Sequence, residues 1–109
     1  MAIKNNAIAN TGSELFICPG SQTDQQEHAV TCIIFCNVST TDVLLSLYMV
    51  PNESTIGDTS KVINELTIPA TETFSFDTEK MVLGTGDRVY AIASGNDQLV
   101  STISTMRVS

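Results

Sequence analysis

Few side chains in this sequence are equipped for chemistry, and their spacing argues against most of it. The single histidine, His28, follows Glu27. Such a pair can orient an imidazole as base for a nucleophile such as Cys32 or Ser39. No nucleophile elbow or oxyanion-hole loop accompanies it, so His28 reads as a surface histidine at a strand start. The carboxylates cluster as Asp24 with Glu27, Glu53 with Asp58, and Asp77 with Glu79. Paired carboxylates do general acid–base work or ligate calcium. Each of these pairs sits in a turn-forming stretch without calcium-loop spacing, where acidic side chains solvate exposed backbone.

Cys18, Cys32 and Cys36 lack the close Cys-Cys spacing and the second histidine of a zinc site. Gly84-Thr85-Gly86 lacks the following lysine of a phosphate cradle and leads into a strand, so it is a turn. Asn37-Val38-Ser39 and Asn52-Glu53-Ser54 match glycosylation sequons, but such short motifs arise often by chance and mean little without a secretion signal. Tyr48 and Tyr90 are candidates for a sugar-stacking platform, although their positions inside strands favour packing. No catalytic residue, metal ligand or cofactor site is expected, and the chain reads as a non-enzyme.

The elements that would position these residues are strands. Short Val/Ile/Thr/Phe-rich runs, each closed by Gly, Pro, Asn, Asp or Ser, recur about every ten residues, the rhythm of an all-β sandwich or barrel. The 109 residues suit one domain, and Ser and Thr number 25, so a charge-poor polar surface is built largely from hydroxyls. We expect a single antiparallel β-sandwich over 11–109, jelly-roll or immunoglobulin-like, with about eight or nine strands. Residues 1–10 read as an N-terminal arm or edge strand.

Along the chain, strands are expected at Ile3–Ala9, Glu14–Cys18, His28–Asn37, Val43–Val50, Ser60–Leu66, Glu72–Phe76, Met81–Leu83, Arg88–Ala93 and Gln98–Val108. His28–Asn37 is apolar at both parities, which predicts a central strand covered on both sides. Ser60–Leu66 is ambiguous with a helical turn capped by Ser60, and the extended preference before Pro69 favours strand. Ser21–Gln26 and Pro51–Ser60 are the main surface loops, with Asp24, Glu27, Asn52, Glu53 and Asp58 as candidate contacts. Cys32 and Cys36 fall on one strand face roughly 13 Å apart, too far to bond. All three cysteines are expected to be buried, reduced thiols.

A net charge of −7, with Lys4, Lys61, Lys80, Arg88 and Arg107 scattered, argues against a nucleic-acid partner. No run approaches the roughly 20 apolar residues of a membrane span. The Met-Ala-Ile-Lys start lacks the apolar core of a secretion signal.

Ordered segments carry a resemblance: Leu15-Phe16-Ile17-Cys18-Pro19, Ile33-Ile34-Phe35-Cys36-Asn37, Leu47-Tyr48-Met49-Val50-Pro51, Leu66-Thr67-Ile68-Pro69-Ala70, Gly86-Asp87-Arg88-Val89-Tyr90-Ala91 and Thr102-Ile103-Ser104. Over about Leu15–Val108 the chain resembles small β-sandwich virion structural proteins of tailed bacteriophages, cyanophages included. The resemblance implies a subunit that decorates the capsid or belongs to the neck or tail. It would be assembled in the host cytoplasm, with other virion proteins as partners. A homo-oligomer, trimer or larger ring, is expected, and Ile3, Lys4, Asn5, Asn6, Ala7 and Ile8 are its candidate inter-subunit arm. The alternative is a carbohydrate- or receptor-binding module on the virion surface, with Ser21–Gln26 and Pro51–Ser60 as its loops.

Overall fold

Alternating apolar and polar positions leave each strand one face to bury, and pairing two such sheets is the way to bury it. The computed structural model describes residues 2–76 and 81–108. The Asp77–Glu79 pair therefore lies outside the described residues. Nine strands are found among them: β1 (Ala2–Ile8), β2 (Ser13–Ile17), β3 (Glu27–Asn37), β4 (Val43–Val50), β5 (Lys61–Ile68), β6 (Thr73–Phe76), β7 (Met81–Gly84), β8 (Arg88–Ala93) and β9 (Leu99–Arg107). They form two antiparallel sheets. Sheet I has the order β1-β9-β3-β6, with β7 also paired to β3; sheet II has the order β2-β8-β4-β5.

β6 pairs with Ile33–Cys36 and β7 with Glu27–Val30, so the two act as one interrupted strand along β3. Eight strand positions in two sheets of four, with the first strand beside the last, make a jelly roll. The immunoglobulin-like alternative is thereby set aside.

The core lies between the sheets. Ile8, Val30, Ile33, Phe35, Leu99 and Ile103 from sheet I meet Leu15, Val43, Leu45, Leu47, Ile68 and Val89 from sheet II, all essentially without solvent exposure. Phe35 stacks on Phe74 at 6.5 Å between ring centroids. Burying side chains of this size contributes about 1.5–3 kcal/mol each relative to leaving them exposed.

β3 is central, as its composition predicts, but it is covered on one side only. A register shift between Val30 and Cys32 inserts Thr31 as a bulge opposite β9. The bulge moves the inward face from even to odd residues: Val30 before it, Ile33 and Phe35 after it, are buried. Apolar residues at both parities thus reflect a change of face. Cys32, Ile34 and Cys36 are left on the outside of sheet I, so Cys32 and Cys36 are half-buried and only Cys18 is buried as expected. No disulfide joins any of the three.

The ambiguous segment resolves as strand. A 3-10 turn at Asp58–Ser60 precedes β5, and the Ser60 hydroxyl closes it by donating to the Gly57 carbonyl at 2.9 Å. Glu65, at φ 51°, marks the bulge that lets β5 follow β4.

Connections alternate between the two ends of the sandwich. At one end the β3–β4 turn, the β5–β6 turn and the β8–β9 turn gather around Asn37, which is 1% exposed. Its Nδ2 donates to the carbonyls of Thr41 (2.9 Å), Ile68 (2.9 Å) and Pro69 (3.2 Å), and its Oδ1 accepts from the backbone N–H and hydroxyl of Ser39. The first sequon asparagine is therefore a buried tie between turns and is closed to glycosylation. Asn37→Ala strands several buried polar groups and is expected to lower stability by about 2–4 kcal/mol; a urea denaturation midpoint measures the loss.

Candidate functional site

Two surfaces stand out: the end of the sandwich opposite Asn37, and the outer face of sheet I.

At that end the β2–β3 loop, the β4–β5 loop and the β7–β8 turn converge, because jelly-roll order sends these three connections to the same side. They surround a cavity of about 580 Å³, lined by Ile17, Cys18 and Pro19, by Gly20, Ser21, Gln22 and Gln25, by Asn52, and by Gly84, Thr85 and Gly86. Two side chains fix the loops. The Asp87 carboxylate accepts the N–H of Asn52 (2.8 Å) through one oxygen and that of Gly84 (2.9 Å) through the other. The Thr85 hydroxyl accepts the Gln26 N–H at 2.7 Å and donates to the Pro19 carbonyl at 3.1 Å. Cys18 adds backbone bonds to Asp87 (2.9 Å) and Gly86 (3.0 Å). Gly86, at φ 88°, lies against the Asn52 amide, which occupies the space a Cβ would need.

The loop candidates divide accordingly. Asn52 lines the cavity. Asp24 lies between the lining residues Gln22 and Gln25, its carboxylate accepting from Gln26 Nε2 at 3.2 Å. Glu53 follows Asn52 in the left-handed region at φ 66°. Glu27 opens β3 opposite Gly84, and its carbonyl accepts the Val108 N–H at 2.8 Å. Asp58 instead meets Lys61, 3.6 Å away on the surface. His28 contacts Gln26 Oε1 at 3.1 Å and the Phe16 ring at 5.8 Å. Among the described residues no cluster of three or more His, Cys, Asp or Glu could hold a metal. Asp87 and Thr85 were not singled out by spacing; their turn was recognisable, but the loops they tie depend on strand order.

Tyr48 and Tyr90 do not make a stacking platform. They pair directly across β4 and β8, edge to face at 6.4 Å. Tyr48 is buried, with the Lys61 ammonium 5.5 Å from its ring centre, and Gly12 packs on Tyr90.

The outer face of sheet I follows from register. Four successive rows cross it: Met106–Ala29–Val82, Ile3–Ser104–Cys32, Asn5–Thr102–Ile34–Ser75 and Ala7–Val100–Cys36–Thr73. None of these four rows contains a charge; the next, where the exposed Glu27 lies opposite Gly84, does. Ile3, Ile34, Val82 and Met106 are among the large apolar side chains left exposed. The outer face of sheet II, by contrast, carries Glu14, Lys61 and Arg88.

Within this face the proposed arm has a definite place. β1 pairs with β9 at every position from Ala2 to Ile8. Ile8 is fully buried, Asn6 Nδ2 donates to the Glu14 carbonyl at 3.0 Å, and Asn5 Oδ1 accepts from Thr102 at 2.8 Å. Ile3, Lys4, Asn5 and Ala7 are exposed. The segment is an edge strand of its own sandwich.

No protein-family model, curated protein or solved structure matches the chain.

Two outcomes follow from the loop end. Asp87→Ala leaves two loop N–H groups without their acceptor and is expected to cost about 2–3 kcal/mol by chemical denaturation. Burial pushes the Cys18 thiol above its ordinary range; a backbone hydrogen bond from His28 opposes this, and Asp87 and Glu27 add to the rise. The unfolded thiol thus ionises first, so stability is full below the ordinary thiol value, around pH 8.5, and declines as pH rises past it. Urea midpoints across that range should fall less steeply in Cys18→Ala than in the parent.

Proposed function

We propose that this protein is a non-enzymatic structural subunit of a tailed-phage virion, decorating the capsid or forming part of the neck or tail, and that it works by multi-copy assembly. The observation that carries the reading is the run of four charge-free rows on the outer face of sheet I, bounded at the start of β3 by the exposed Glu27, on a chain of net charge −7. Acidic molecules repel one another wherever their carboxylates meet. Four rows without a charge give a surface on which copies approach without that repulsion.

The size is adequate. With strands about 4.8 Å apart and rows about 6.8 Å apart, the patch covers roughly 500 Å². Packed against an equal area of a different surface on the neighbouring copy, as a ring requires, it buries about 1,000 Å² in total, the lower bound of a specific interface. Small side chains such as Ala7, Ala29 and Ser104 suit close packing of sheets. The jelly roll is a layout used by viral capsid domains, which supports the reading at the level of fold alone. The exposed part of β1 offers a sheet edge beside the same face.

Deleting residues 1–10 would remove a strand with a core side chain, so point substitution is the sharper test. Light scattering on the purified protein should give a discrete homo-oligomer, trimer or larger ring. Thr102→Lys, within the charge-free rows, should weaken association at least tenfold, whereas Thr67→Lys on sheet II should leave it unchanged. A monomer at all concentrations, or an oligomer indifferent to Thr102→Lys, would overturn the proposal.

A further inference from the structure

The geometry points to the loop-end cavity as a binding site for a neutral carbohydrate, a function separate from assembly through sheet I. Three features of the cavity carry this. Its shape is set in advance: Asp87 and Thr85 fix the backbone of all three connections, so a ligand need not order the loops. Its volume of about 580 Å³ lies within the range of small-molecule sites, roughly 300–1,000 Å³. Its chemistry is amphipathic without charge. Ile17 and Pro19 supply an apolar wall, and Gln22, Gln25 and Asn52 bring carboxamides to the same space.

A sugar ring has the complementary character, with C–H groups on its faces and hydroxyls around its edge. Each hydroxyl both donates and accepts, and each carboxamide offers two donors and an acceptor, so the groups match. Asp24 and Glu53, both exposed and next in sequence to lining residues, put negative charge on two of the loops that surround the cavity. An anionic sugar meets repulsion there, which sets the selection for neutral glycans.

Saturation-transfer NMR on the intact protein tests the site with maltose, lactose, cellobiose, mannobiose and chitobiose as neutral probes and sialyllactose as the acidic one. At least one neutral disaccharide should bind, and sialyllactose should bind at least tenfold more weakly than lactose if lactose is bound, or not at all. Gln22→Ala, on the exposed loop, and Asn52→Ala should each weaken that binding at least tenfold while the denaturation midpoint of Gln22→Ala stays at the parent value. Absence of binding to all five neutral sugars, or binding that survives both substitutions, would overturn the inference. Neither result bears on assembly, which light scattering reads independently.

Discussion

The ladder between β3 and β9 decides what every other part of the molecule can do. It runs from His28 opposite Arg107 to Asn37 opposite Leu99, interrupted once at Thr31. Side chains alternate across a strand, so a slip of one residue would exchange the two faces of sheet I. With the register as it stands, Ile33, Phe35 and Ile103 enter the core while Ile34, Thr102 and Cys36 point away from it. The charge-free rows and the apolar core are two sides of one set of hydrogen bonds. β1 and the interrupted β6/β7 strand extend that pattern to either side.

The two ends of the sandwich are held by different chemistry for a common reason. Turns crowd backbone donors and acceptors into places where strand pairing does not reach them, and buried ones need partners. At one end Asn37 supplies both a donor and an acceptor, and its neutral amide sits within the protein. At the other, Asp87 accepts two N–H groups where water remains close enough to solvate a carboxylate. The first end is closed around its asparagine. The second stays open above its aspartate, and the cavity is the space left between loops whose backbones are already committed.

Strand positions were readable because apolar residues and turn formers alternate so regularly, and Val43–Val50 shows the period of two directly. What the pattern concealed was the bulge at Thr31. A single inserted residue makes a one-sided strand look two-sided, and with it the surroundings of Cys32 and Cys36 were misjudged. The convergence of Ser21–Gln26 with Asn52 and Thr85 was hidden for another reason. Periodicity describes each strand alone, whereas the meeting of loops is a property of strand order. Asn37 illustrates the limit most simply: in the sequence Asn-Val-Ser is a short motif of little weight, and its role as a buried tie emerges only when the turns that enclose it are in place.

The position of β9 has a consequence for how the chain comes into being. This strand is the last in sequence, yet it lies between β1 and β3 and is the ladder partner of both. While the ribosome is still producing earlier segments, β1 has no neighbour to pair with, and one side of β3 is bare. Sheet II completes its order once Arg88–Ala93 has emerged, since β2, β4 and β5 precede it. Sheet I must wait for Leu99–Arg107. The nascent chain therefore carries an unfinished apolar layer until the final strand arrives, and closure of the fold joins residues about a hundred positions apart. Such long-range closure is slow compared with local pairing, so the interval between synthesis and completion is when this protein is most exposed to wrong partners.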